Sequence, residues 1–305
     1  HIYTMKDLII LGASGDLAKK KLFPAIYQNF NKGFDCRYIG YGRKKISNDE
    51  FRATVKDSVM EQNDSFLEKF SYIQGEYNKE GFKNLKTIKL NDERIFYLAL
   101  PIKEDLLSEI ILGLKSNNLI AENTLIVLEK PFGEDFQSAQ ELITILKNNL
   151  NENQVFLVDH YLAKELIRNL TSLRFENSIF SNIWFNKYIE KIEIVAKEKE
   201  GIGERGEYYD KSGAIKDMVQ NHILQILALT TMNPPKDFVC TYLDTEKIEI
   251  LKNLRIFNND YDKNVEIGQY NGYLSENYIT ESSLTETYTK LVLEVNTKEW
   301  KGVPI

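Results

Sequence analysis

The sequence predicts an open α/β fold, a doubly wound parallel sheet, followed by a second domain of α+β type, an antiparallel sheet backed by helices. Three observations carry this. Short apolar runs at 7–11, 36–40, 94–100, 124–128 and 155–158 alternate with stretches of helical spacing, as buried parallel strands and their crossover helices do. The first run leads into a glycine turn and a helix. After Glu165 the rhythm changes to longer helices and period-two alternation, at 188–197 and 283–296. The boundary falls after Val158, giving domains of 5–158 and 159–305.

Composition narrows the class. A chain of 305 residues has room for two domains and a sizeable core. Its 43% hydrophobic and 28% charged residues read as a soluble globular protein. A net charge of −6 argues against a broad basic face for nucleic acid, and no apolar run approaches the roughly 20 residues that span a bilayer. Neither nucleic acid nor membrane is an expected partner. No secretory signal opens the sequence, and His1 to Thr4, ahead of Met5, read as the remnant of an expression tag. Cys36 and Cys240 lie far apart without metal-ligand spacing, so no metal is expected and a reducing cytoplasm fits. Apart from His1 the histidines are His160 and His222.

In chain order, the run 7–11 is a compact strand followed by Gly12, Ala13, Ser14, Gly15, Asp16, Leu17 and Ala18, then helical spacing over 19–30. Gly12 permits the tight turn, Gly15 lets the backbone approach a pyrophosphate, and Ala18 keeps the helix close to the sheet. The spacing G-x-x-G-x-x-A also fits a strand-to-helix turn without a ligand. The second strand, 36–40, ends in Tyr41, Gly42, Arg43, Lys44 and Lys45. A carboxylate here would hold the ribose of NAD, whereas a cationic end suits the 2′-phosphate of NADP, and Arg43 has the fork to grip it. A solvated basic turn is the alternative.

The segment 48–70 reads as one helical crossover, 94–100 as a strand closed by Pro101, and 103–119 as a helix. The strand 124–128 runs into Glu129, Lys130, Pro131, Phe132 and Gly133, with Pro131 stiffening the turn. Lys130 sits at the strand's carboxyl end, where open α/β sheets bind ligands, and its ammonium is placed to bridge coenzyme and substrate. A structural Glu–Lys pair is the alternative.

The stretch 154–165 is the most telling. A strand ends at Asp159, an N-cap residue type, and a helix is predicted over 161–173. His160 and Lys164, four apart, then share one helix face at an N-terminus, good equipment for a phosphate. A capped, solvated turn is equally compatible. Farther on, 201–206 is a glycine-rich loop and 212–232 a long helix, in which His222 interrupts the apolar stripe of Ile215, Met218, Ile226 and Leu229. Such a histidine is either a satisfied core residue or, paired with a carboxylate, a general base near neutral pH. A further helix at 246–254 and a turn at 269–271 complete the reading.

Taken together, these motifs resemble the glucose-6-phosphate dehydrogenase family. Carrying the resemblance are the glycine turn of 12–18, the Glu129 to Gly133 turn, Asp159, His160, Tyr161, Leu162, Lys164 and Glu165, the Gly206 to Asp210 run, Asp217 with Gln220, Asn221 and His222, and Trp300 with Gly302, Val303 and Pro304. The resemblance implies an NADP-binding Rossmann-type domain and the family's carboxyl-terminal α+β domain with a large antiparallel sheet. It implies oxidation of glucose 6-phosphate to its lactone with hydride transfer to NADP, the first step of the oxidative pentose phosphate pathway, in a cytoplasmic homo-oligomer assembled through the second domain's sheet. His222 then matches the general base and Asp159 the carboxylate that orients it. Lys130, His160, Tyr161, Lys164, Glu198 and Asp217 match the substrate ligands. Gly12, Ser14, Gly15, Asp16, Leu17, Arg43 and Lys130 match the coenzyme site. Two departures stand out: Ala163 replaces the family's usual glycine, and the sequence stops at Ile305 where the family continues, leaving the expected sheet incomplete. A catalytically disabled NADP-binding fragment or assembly subunit, and a sugar oxidoreductase of the glucose–fructose oxidoreductase type, are the other readings.

Overall fold

A computed structural model describes residues 6–34, 36–60, 63–130, 132–133, 135–199, 201–236 and 240–305, without the side chains of 204 and 240–242. The readings placed on His1 to Thr4, Pro131 and the Cys240 thiol lie outside what is described. The chain divides into two compact units, His1–Val158 and Asp159–Ile305.

The first unit is a six-stranded parallel sheet. Its strands are β1 (Lys6–Leu11), β2 (Cys36–Gly42), β3 (Phe70–Gln74), β4 (Arg94–Leu98), β5 (Thr124–Leu128) and β6 (Val155–Leu157), in the spatial order β3-β2-β1-β4-β5-β6. This is the doubly wound order, in which the chain reverses direction between β1 and β4 and opens a crevice at their carboxyl ends. Alternation along β1 feeds both faces: Ile9 and Leu11 pack with Ile39, Phe96, Ile126 and Leu128 on one side, and Ile10 with Phe23, Tyr38, Phe51 and Phe70 on the other. Helices α1 (Phe23–Phe30), α2 (Asn48–Val59), α3 (Asp64–Leu67), α4 (Glu104–Ser116) and α5 (Phe136–Asn149) are the connections. At the opposite end of the strands the fully buried Asp7 takes both nitrogens of an Arg37 fork, at 2.8 and 2.7 Å, and two bonds from Asn91.

Two expectations for this unit need correction, and one helix lies outside them. The single helix expected over 48–70 is α2, α3 and the start of a strand. A capping box between Ser47 and Glu50 opens α2, and Met60 closes it in the left-handed region at φ 56°. Phe70 then begins β3, which pairs with β2 from Tyr38↔Phe70 onward. The run 155–158 is an edge strand and not a buried one, since Phe156 is 45% and Leu157 55% exposed. Helix α5, opened by an Asp135–Ser138 capping box, was not anticipated.

The second unit is helical with two small antiparallel ladders among the described residues. Helices α6 (Glu165–Thr171), α7 (Ser178–Ser181), α8 (Gly206–Ala214), α9 (Leu224–Thr231), α10 (Cys240–Lys252) and α11 (Tyr261–Asn264) surround strands β7 (Leu254–Ile256), β8 (Val265–Gly268), β9 (Tyr288–Leu291) and β10 (Leu293–Val295). β10 pairs with β7 and β8 with β9. Leu227, Ala228, Met232, Ile250, Val295 and Trp300 form the core. The predicted alternating strand at 188–197 forms no ladder here. Ile192 bonds Pro304 through one N–H, at 3.1 Å, but no described strand runs alongside. Nor is 212–232 one smooth helix. Gly213, at φ 66°, breaks it, and the helix from Ala214 to Thr231 passes through wide turns over Ile215–Ile223 before α9.

Candidate functional site

In the first unit the backbone makes a pocket. Gly12 leaves β1 at φ +88°, and a Cβ there would lie 2.5 Å from the carbonyl oxygen of Ala99 and 2.7 Å from a Leu100 methyl, so only glycine fits. Its amide bonds the Tyr41 carbonyl at 2.9 Å, and the Gly15 amide returns to the Gly12 carbonyl at 2.9 Å, closing the turn. A cavity of about 340 Å³ opens beside it, lined by Gly12, Ser14, Gly15, Arg43, Lys44, Tyr77 and the 99–101 stretch. The end of β2 thus delivers two cations and no carboxylate. Arg43 stands 5.8 Å from the centre of the Tyr77 ring. Burial pushes the Tyr77 hydroxyl above its ordinary range, with the Arg43 charge opposing. A nucleotide with phosphates fits this donor set: a close backbone approach, a helix N-terminus and two cations. Asp16 and Leu17 do not line the cavity. Asp16 is exposed and pairs with Lys20 at 2.9 Å, and Leu17 packs inward toward Phe23. Lys130 follows β5 by two residues, half-buried. Tyr77 is a site residue outside the sequence reading, and Lys44, read there only as part of the basic end of β2, lines the cavity with Arg43. Tyr77 sits beyond β3 with no motif around it.

In the second unit side chains converge from distant positions. Asp159 Oδ1 accepts the Tyr161 amide at 2.9 Å, so the turn after β6 is an Asx turn and not the first turn of a helix. Helix α6 starts only at Glu165, with Lys164 as its N-cap. The expected shared helix face of His160 and Lys164 is therefore absent. The turn places them instead.

The same Asp159 oxygen meets Nδ1 of His222 at 2.9 Å, and both side chains are under a tenth exposed. An ionised carboxylate holds the proton on Nδ1 and leaves the Nε2 lone pair to accept another. The Tyr161 ring stacks on the imidazole at 4.3 Å and 22°, and the His160 ring lies edge-on to it at 4.6 Å. On Tyr161 sits the Lys164 ammonium, 3.5 Å from the ring centre. The Tyr161 hydroxyl bonds Glu198 at 3.3 Å. Burial, then the charges of Glu198, Asp217 and Asp159, hold that hydroxyl above its ordinary range. Asp217 is itself held by Arg205 at 3.1 Å and by the Tyr208 hydroxyl at 3.2 Å, two residues the sequence reading did not single out.

The helix that carries His222 is anchored at its far end. Its last carbonyls receive side-chain donors: Leu229 and Met232 from Arg174, Thr230 from Trp184 and Thr231 from Trp300, at 2.5–2.9 Å. Carbonyls that a helix end leaves orphaned are thereby satisfied, and a buried cation faces the negative end of the dipole.

Comparison with known proteins agrees with this layout. Residues 9–169 match the family model described as glucose-6-phosphate dehydrogenase, NAD binding domain, and residues 171–305 match glucose-6-phosphate dehydrogenase, C-terminal domain. The glucose-6-phosphate 1-dehydrogenase of Borreliella burgdorferi is 40% identical over 320 aligned positions, covering 98% of this chain and 66% of its own length. Cytoplasmic isoform 5 of Arabidopsis thaliana is 35% identical, with 98% and 62% covered. A solved glucose-6-phosphate dehydrogenase in complex with its substrate glucose-6-phosphate superposes at a TM-score of 0.90 with 36% identity, over 99% of this chain and 68% of that one. The Mycobacterium avium enzyme gives 0.88 with 32% identity and the same coverage. The chain thus spans slightly under two thirds of the length of these two curated relatives. On these matches the chain belongs to the glucose-6-phosphate dehydrogenase family.

Proposed function

We propose that this chain oxidises D-glucose 6-phosphate to 6-phospho-D-glucono-1,5-lactone with NADP as the hydride acceptor. The observation that carries this reading is the buried Asp159–His222 pair with His160, Tyr161 and Lys164 packed around it.

His222 Nε2 takes the proton of the anomeric hydroxyl as hydride departs from the same carbon, so the carbonyl forms without a free oxocarbenium ion. Asp159 fixes the tautomer and stabilises the imidazolium that results. His160 and the Lys164 ammonium, with Tyr161, take the sugar phosphate, and Lys164 leaves the tyrosine ring to do so. Glu198 and Asp217 accept sugar hydroxyls, with Arg205 and Tyr208 holding Asp217 in place.

In the first unit, the amides of the Gly12 to Ala18 turn hold the pyrophosphate, with Ser14, Asp16 and Leu17 in that turn. Arg43 reads the 2′-phosphate, and Lys130 reaches both coenzyme and sugar. Bound NADP supplies the nicotinamide carbon that accepts hydride. The reading places domain one at 5–158 and domain two at 159–305. It also places the protein at the entry of the oxidative pentose phosphate pathway in a cytoplasmic compartment. Assembly as a homo-oligomer is supported by the exposed apolar side chains of the β8–β9 ladder, Ile267 at 59% and Tyr288 at 49%.

The test is NADPH formation from glucose 6-phosphate, followed by absorbance in metal-free buffer. Steady turnover supports the proposal. A chain that binds NADP but never reduces it is a binding subunit and refutes the proposal.

A further inference from the structure

The catalytic turn assembles something besides an acid–base pair. One oxygen of Asp159 and one ring nitrogen each of His160 and His222 lie within 4.8 Å of one another. Two imidazoles and a carboxylate are the donor set that borderline first-row dications select, and three protein ligands leave one position open.

The spacing suits an ion. Asp159 Oδ1 and His222 Nδ1 are 2.9 Å apart, a separation that two ligands about 2.1 Å from one centre reach at an angle of about 90°. His160 is exposed, so its ring turns toward that centre without disturbing the core. Carboxylates stand nearby as well: Glu198 meets the Tyr161 hydroxyl at 3.3 Å, and Asp217 is paired with Arg205 at 3.1 Å.

We propose that Asp159, His160 and His222 form a site for a Zn²⁺-like dication, and that its occupancy switches the enzyme off. The ion takes the lone pair of His222 Nδ1 and coordinates Asp159 in place of the hydrogen bond, while the single proton of the neutral imidazole moves to Nε2, the position that would otherwise accept the proton of the sugar. The imidazole is then tied to the metal, and His160 is withdrawn from the sugar phosphate. Substrate and metal therefore compete. The inhibition rests on the dehydrogenase reading above, whereas the binding does not.

Protein freed of metal with EDTA and returned to chelator-free buffer is titrated with Zn²⁺ by calorimetry, and with Co²⁺ by visible absorption. The expected result is one ion per chain, Co²⁺ bands of four-coordinate intensity, and displacement as glucose 6-phosphate is added. NADPH formation falls in step with occupancy and returns with EDTA. Mg²⁺, which demands oxygen ligands, neither binds nor inhibits. His160→Ala and His222→Asn each weaken Zn²⁺ binding at least tenfold. His160 being exposed, its variant keeps the fold, which thermal melting checks. No uptake of Zn²⁺, or uptake by both variants equal to that of the unmodified chain, overturns the inference. Failure of the dehydrogenase reading is seen separately, as absence of NADPH formation in the metal-free protein.

Discussion

The pocket of the first unit and the cluster of the second are made from different material. Around Gly12 the backbone is the site: a positive φ, a carbonyl 2.5 Å from where a side chain would begin, and a turn closed by the Gly15 amide on the Gly12 carbonyl. Around His222 the backbone only carries side chains, brought together from positions 63 apart by an Asx turn and an anchored helix. A site made of backbone cannot be altered without straining the fold. A site made of side chains can lose its chemistry and keep its stability.

That contrast can be broken in four ways, taken from the largest expected effect. Gly12→Val forces a β-branched residue to φ +88° against Ala99. NADP binding should vanish in a fluorescence titration, and unfolding should lose about 1–3 kcal/mol by calorimetry. Loss of coenzyme with an unmoved Tm would mean that pocket and fold are not one object. Lys164→Ala removes an exposed cation from the second site. The KM for glucose 6-phosphate should rise about 10–100-fold, as loss of one charged hydrogen bond does, with kcat and Tm nearly unmoved. An unchanged KM would remove Lys164 from the phosphate site.

Arg43→Ala tests the one place where the first site relies on a side chain. The Kd for NADP should rise about tenfold and that for NAD should stay, whereas equal losses would mean that Arg43 does not read the extra phosphate.

The smallest effect concerns stability in acid. The Asp210 carboxylate accepts from the Ser283 and Tyr273 hydroxyls while its backbone carbonyl accepts from Thr285, and the Ser283 bond foremost holds its carboxyl below the usual range. A depressed carboxylate contributes stability above its unfolded pKa of about 3.9, and the contribution disappears as pH falls through the lower folded value. Ser283→Ala should therefore flatten the fall of Tm in that acid window and lower Tm slightly at neutral pH. An unaltered pH profile would discount the network.

The contrast also explains what the sequence made legible. Strands β1, β2, β4 and β5 are short apolar runs buried on both faces, and each was visible. β3 was missed because it follows two short helices without a glycine or proline break, and its neighbours decide its fate. The glycine turn was visible because steric rules for φ > 0 act on single residues. Tyr77, Arg205 and Tyr208 were not, since ordinary residue types acquire a role only through three-dimensional proximity. The approach of His222 to Asp159 was legible by resemblance alone. No local rule links positions 63 apart, and the helix expected to present His160 and Lys164 together begins too late to do so. The ladder expected at 188–197 failed for the converse reason: alternation specifies a strand only where a partner runs beside it.

The central claim is that the Asp159–His222 pair removes the proton, and one variant tests it most directly. In His222→Asn the side chain can still donate to Asp159 but cannot act as a base. At saturating glucose 6-phosphate and NADP its kcat should fall about 10²–10⁴-fold, with both affinities and Tm close to those of the unmodified chain. A kcat within a few-fold of the unmodified value would contradict the claim.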